Sequence, residues 1–123
     1  MRSYVYLAAP YSKLLYADAS ETLKDRRYQQ VTKFAVELMS AGLHVYSPIT
    51  YGHGLVQYAN SKGKKGFGED YWYEHGLRML RNASMLVVYQ LPDWDKSDGV
   101  KLEIDAAKSM GIPIFYAEFK DVK

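Results

Sequence analysis

The sequence contains no cysteine, which removes disulfide frameworks, thiolate nucleophiles and Cys-ligated zinc from consideration. Net charge is almost absent too: 16 Lys and Arg against 14 Asp and Glu leave +2, far from the basic excess that coats a DNA duplex. No apolar run approaches the roughly 20 residues that a bilayer-spanning helix needs. Met85 to Tyr89 is typical of the longest, and the start, Met-Arg-Ser-Tyr, leads into a strand-like run rather than a leader. The expectation is a soluble, cytoplasmic chain that binds neither duplex nucleic acid nor membrane. What is present is 123 residues, 48% hydrophobic and 24% charged, enough for one domain with one core and too few for two.

Ser3 to Ala9 is a β-branched and aromatic run ended by Pro10, which predicts a first, buried strand. Val31, Phe34, Ala35, Leu38 and Met39 form an amphipathic helical stripe; that helix starts within Asp18 to Lys24 and stops at Gly42. Leu43 to Tyr46 gives a second short strand, closed by Ser47-Pro48 because the residue before a proline is pushed into extended geometry. Thr50 to Glu69 holds five of the nine glycines, Lys62, Lys64 and Lys65, and few aliphatic residues, which predicts a long loop. Asp70 to Ala83 returns to helical spacing, and Met85 to Tyr89 is continuously apolar, as in a strand covered on both faces. Asp93 to Gly99 then reads as a polar turn, Val100 to Met110 as a helix capped by Gly111, and Ile112 to Tyr116 as a last strand. Strands alternating with helices specify a small doubly wound α/β domain, flavodoxin- or Rossmann-like, with a parallel sheet and helices on both faces. Such sheets bind ligands beyond the carboxyl ends of their strands, so a site should draw on Ala8 to Ser12, Ser47 to His53 and Leu91 to Gly99.

Ser97-Asp98-Gly99-Val100-Lys101-Leu102-Glu103 is the most informative segment, because it falls where the third strand ends and a helix begins. Ser97 sits at an N-cap, Gly99 lets a ligand approach the backbone, and the exposed N–H groups suit a phosphate. The helix field would keep Glu103 ionised, and a carboxylate facing the cleft could attack a sugar carbon. The spacing fits an ordinary capped helix with a surface glutamate as well. Tyr6 could bring a hydroxyl to the strand end or simply fill the core. His53, in a Tyr-Gly-His-Gly turn, could touch or protonate a base, or be a solvated loop histidine. His44, His53 and His75 show no metal-ligand spacing, so neither a metal nor a cofactor is expected. Gly63-Lys-Lys-Gly-Phe-Gly68 lacks the G-K-[ST] ending and follows no strand, which rejects a P-loop triphosphatase, although its lysines could close over an anion as a flap. The absence of a G-x-S-x-G elbow disfavours a serine-triad hydrolase.

Tyr6-Leu-Ala-Ala-Pro-Tyr-Ser12, Gly42-Leu-His-Val-Tyr-Ser-Pro48, Ser97-x-Gly99-Val100-x-x-Glu103, Ala107 and Gly111-Ile-Pro-Ile span nearly the whole chain. Together they resemble the nucleoside 2-deoxyribosyltransferase-like superfamily, and within it a group found in phages and bacteria related to the 2'-deoxynucleoside 5'-phosphate N-hydrolases. The resemblance implies an N-glycosidase (nucleotide N-hydrolase) or a nucleoside deoxyribosyltransferase, with Glu103 attacking the anomeric carbon and Tyr6 assisting it. It implies a nucleoside or nucleotide as partner, with Ser97 and Gly99 at the 5'-phosphate. Ala9 and Ser12 would contribute from the first-strand loop, Ser12 substituting for a hydrolase serine whose place is taken by Pro10. It also implies a homodimer or higher homo-oligomer, to which Tyr71-Trp72-Tyr73 could contribute. Two positions depart from the pattern. Gly76 stands where relatives place an aspartate that helps protonate the departing base, and Ser84 replaces a second aspartate. Asp70, Glu74 and His75 are the candidate auxiliary acids, and a catalytically weak nucleotide-binding protein of the same fold is the alternative.

Overall fold

The computed structural model describes residues 4–11, 20–64 and 68–120. In chain order the elements are β1 (Val5–Ala8), α1 (Glu21–Ser40), β2 (Val45–Tyr46), α2 (Pro48–Ser61), α3 (Glu69–Arg81) and β3 (Met85–Gln90). A single 3-10 turn (Trp94–Lys96), α4 (Asp98–Met110) and β4 (Ile114–Glu118) follow. All strand pairs are parallel and the sheet order is β2-β1-β3-β4, the doubly wound α/β arrangement expected from the alternation of elements. The chain winds from β1 outward to β2, then crosses back to β3 and β4 on the other side. The switch point therefore lies between the carboxyl ends of β1 and β3, where such folds bind ligands.

Alternation along the two central strands sorts their side chains into two layers. Val5, Leu7, Ala9, Val87, Tyr89 and Leu91 pack with Val31 and Ala35 of α1 and Ile49 of α2. Tyr6, Ala8, Leu86 and Val88 pack with Leu80 of α3 and with Val100 and Ala107 of α4. Both faces are covered, which explains why β3 reads as an uninterrupted apolar run. Tyr6 pairs in register with Leu86 and so points into the α3/α4 layer.

The expected loop over Thr50 to Glu69 is instead largely helix, α2 ending at Ser61. Ser47, expected to close β2, also opens this helix: its Oγ accepts from Thr50 N at 3.3 Å and donates to Thr50 Oγ1 at 2.8 Å. Pro48 occupies the first helical turn, where its missing N–H leaves no bond unmade. Gly52 is buried in the helix because the Trp72 indole lies 3.4 Å from where a side chain would begin. Ile49, Gly52 and His53 form the inner face. At α1, the Ser20 cap accepts from Leu23 N at 3.1 Å and Gly42, at φ +95°, turns the chain out, matching the expected limits.

Candidate active site

The carboxyl end of β1 and the start of α4, which follows β3, open into a cleft of about 590 Å³, the size that holds a small organic ligand. Glu103 lies in the second turn of α4 and Tyr6 in the middle of β1, yet the Tyr6 hydroxyl donates to Glu103 Oε2 at 2.5 Å on the cleft lining. Tyr6 is 1% exposed, its ring walled by Tyr46 at 5.6 Å. It is a core residue whose hydroxyl reaches the cleft, so the two placements read for Tyr6 coincide.

Burial, partly offset by the Tyr6 hydrogen bond, raises the Glu103 carboxyl from 4.5 to about 7. The expectation that the helix field keeps Glu103 ionised is thereby corrected: the loss of water outweighs the hydrogen bond from the phenol. Near neutral pH the group is poised between its two forms. Burial first, and the Glu103 charge second, push the Tyr6 hydroxyl well above its usual value of 10, so it remains a donor throughout the working range. Burial, followed by neighbouring tyrosines, pushes Tyr46 up to about 12.

Ser97 caps α4 as expected, its Oγ accepting from Val100 N at 3.2 Å while the residue lines the cleft. The acceptor role leaves the hydroxyl proton available to a ligand. Gly99 also lines the cleft, and a side chain there would meet only Ser97 Oγ, at 3.8 Å. Ala9 lines it from the end of β1, whereas Ser12 lies outside the described residues. Replacing Ser97 by Ala should lower stability by about 1 kcal/mol through loss of the cap, read from urea midpoints. An unchanged midpoint would remove the cap.

On α3 the helical phase decides the auxiliary candidates. Trp72, His75 and Gly76 turn toward the cleft, whereas Asp70 and Glu74 are exposed and do not line it, Glu74 accepting from Arg78 at 3.2 Å. Asp70 and Glu74 are thus withdrawn as acids of this site. The His75 ring is stacked between Tyr51 (5.7 Å) and Tyr71 (6.0 Å). A side chain at Gly76 would begin 2.9 Å from Tyr6 Oη, so the aspartate expected there is incompatible with Tyr6 as placed. Ser84 lies at the amino end of β3, opposite the cleft, where its Oγ donates to Tyr4 O at 3.0 Å. Of the aromatic trio, Trp72 and Tyr73 line the cleft, Tyr73 with much of its ring exposed, while Tyr71 is exposed and does not line it.

His53 is neither in a turn nor solvated. It sits in α2, 6% exposed, stacked on Tyr28 at 4.2 Å, with Tyr11 Oη 2.6 Å from Nδ1 and Asp25 Oδ1 3.5 Å from Nε2. Tyr11, Asp25 and Tyr28 were not singled out from the sequence; the only hint was that Tyr11 falls in the first expected loop. The suggested lysine flap is also displaced. Lys62 lies over the Tyr58 ring and neither it nor Lys64 lines the cleft, while Lys65 falls outside the described residues. Among the described residues, Lys24 of α1, paired with Glu21 at 3.3 Å, is the cationic side chain on the lining. No cluster of metal-ligating residues occurs among the described residues, and none of their helices is long and apolar enough to cross a membrane.

Fold and cleft define a small doubly wound α/β protein with a cleft at its switch point. Residues 3–119 match the family described as Domain of unknown function (DUF1937), and the chain belongs to that family. A comparison with curated proteins finds no match.

Proposed function

We propose that the protein cleaves or exchanges the N-glycosidic bond of a deoxynucleoside or its 5'-monophosphate, with Glu103 as the nucleophile. The observation that carries this reading is the Tyr6 hydroxyl donating to Glu103 Oε2 at 2.5 Å inside the switch-point cleft. The resemblance to nucleoside 2-deoxyribosyltransferase-like proteins points the same way. Ionised Glu103 attacks the anomeric carbon through an oxocarbenium-like transition state, and the carbon–nitrogen pair leaves with the base. Water or a second base then takes the sugar from the glycosyl ester. Ser97 and the start of α4 suit a 5'-phosphate, and the rings of Tyr46, Trp72 and His75 suit a planar base. A homo-oligomer in a cytoplasmic setting belongs to the same reading.

The test is to incubate nucleosides and their monophosphates with the protein, with and without a second base, and to follow free base by chromatography. Free base without an acceptor marks a hydrolase and exchange marks a transferase; neither, at stoichiometric protein, refutes the proposal. Activity should rise with pH through about 7 as Glu103 ionises. Tyr6→Phe should move that acid limb of kcat/KM to higher pH, because the lost hydrogen bond favoured the carboxylate. A limb that stays put would detach Tyr6 from Glu103.

One observation favours a second reading, a nucleotide binder with little chemistry: α3 brings no carboxylate to the cleft among the described residues. Tight nucleotide binding in calorimetry, with no base released after long incubation, would select it.

A further inference from the structure

Glu103 and Tyr6 leave one requirement of the proposed reaction unmet, since a departing base needs a proton and an attacking water must lose one. Asp70 and Glu74 face away, the Tyr6 hydroxyl is committed to Glu103, and His75, the third candidate, has its ring stacked between Tyr51 and Tyr71. Elsewhere on the same cleft lining, Tyr11 leaves the end of β1 with its carbonyl oxygen accepting from Arg27 Nη1 of α1 at 2.9 Å. Its hydroxyl lies 2.6 Å from His53 Nδ1, and Asp25 Oδ1 lies 3.5 Å from His53 Nε2. The imidazole is clamped against Tyr28 and buried, whereas Tyr11 is only half-buried, so the phenol is the open end of the chain.

We propose that Asp25, His53 and Tyr11 form a proton relay for this reaction, with Tyr11 the catalytic group that meets the leaving base and His53 the proton store behind it. The assignment rests on the glycosidase reading above. With His53 as imidazolium, Nδ1–H donates to the Tyr11 oxygen and the phenol proton is free to go to the base. As the carbon–nitrogen pair moves onto the base nitrogen, that nitrogen takes the Tyr11 proton and the Nδ1 proton replaces it, leaving neutral imidazole. When water attacks the sugar–Glu103 ester, the carbon–oxygen pair returns to the Glu103 carboxylate. The water proton passes to Tyr11, the Tyr11 proton passes to Nδ1, and the imidazolium is restored.

The charges around the relay fit this cycle. The Asp25 carboxylate faces Nε2, and the Tyr28 ring lies stacked on the imidazole. Burial, then Glu21 and Asp25, hold the Tyr11 hydroxyl above its usual value, which keeps it a phenol between transfers. Lys24 is paired with Glu21, and Arg27 is turned to the Tyr11 carbonyl with Asp93 as a further charge partner.

A base that leaves neutral needs no proton, so purine deoxynucleoside monophosphates and their N7-methylated counterparts separate acid catalysis from every other role. Tyr11→Phe and His53→Asn should lose about 10² to 10⁴-fold in kcat on the ordinary nucleotide and less than about tenfold on the methylated one. Asp25 is half exposed, and Asp25→Asn should fold normally while losing several-fold in kcat on the ordinary nucleotide and nothing on the methylated one. Equal losses on both substrates, or no loss on either, overturn the relay while leaving the glycosidase reading intact, and an Asp25→Asn variant that treats the two substrates alike also counts against the relay. No release by the wild-type protein from any of these compounds overturns both. If the Tyr11 and His53 variants fail to fold by circular dichroism, the Asp25→Asn comparison of the two substrates decides alone.

Discussion

Glu103→Gln should reduce base release by on the order of 10⁴-fold or more, and at the same time make the protein more stable at alkaline pH. The carboxyl titrates near 7 in the folded chain against 4.5 in its ordinary state. Between those values the folded protein still holds a proton that the unfolded chain has released. Stability therefore falls as pH rises through this window, and the deficit is complete above about 7. At about 1.4 kcal/mol per pH unit the deficit is about 3 kcal/mol. Glutamine carries no charge to desolvate and escapes it. Urea midpoints should place the variant close to wild type near pH 4.5 and about 2 to 3 kcal/mol above it at pH 8.5. The same difference at both pH values would mean that the carboxyl is not held away from water, and unaltered base release would remove it as nucleophile.

Gly76→Ala carries the second large effect, and its sign opposes helix propensity. Alanine in a helix gains about 1 kcal/mol over glycine, yet here its Cβ would lie 2.9 Å from Tyr6 Oη. Tyr6 is fully enclosed and held by Glu103, so either α3 shifts or the Tyr6–Glu103 bond breaks. A net loss of about 1 to 2 kcal/mol is expected, with base release falling about 10²-fold. In the Tyr6→Phe background the clashing oxygen is gone, so Gly76→Ala should become neutral or stabilising, a coupling of about 2 kcal/mol in the double-mutant cycle. Strictly additive effects would show that the two residues do not meet.

The elements whose signals are local were legible in the sequence: the α1 stripe, the apolar β3 and the Ser97 cap. α2 was not, because Ser47-Pro48 is chemically ambiguous. The same pair that extends the chain at its end caps and starts a helix, and the glycine count masked the inner face of Ile49, Gly52 and His53. Spacing and resemblance together placed Tyr6 and Glu103. The Glu103 proton affinity was out of reach, since it depends on how much water the assembled fold removes. Tyr11, Asp25 and His53 come from three separate segments, and no spacing announces such a meeting. The outward turn of Asp70 and Glu74, by contrast, was available in the helical phase of Trp72, His75 and Gly76.

Ser47 alone separates β2 from α2, and this junction has no slack. One inserted residue would rotate the helix by about 100° about its own axis and exchange Ile49 and His53 for outward positions such as Tyr51 and Leu55. Any lengthening of this chain is therefore confined to places such as the stretch beyond Ser61, where added residues leave the helix in phase with the sheet.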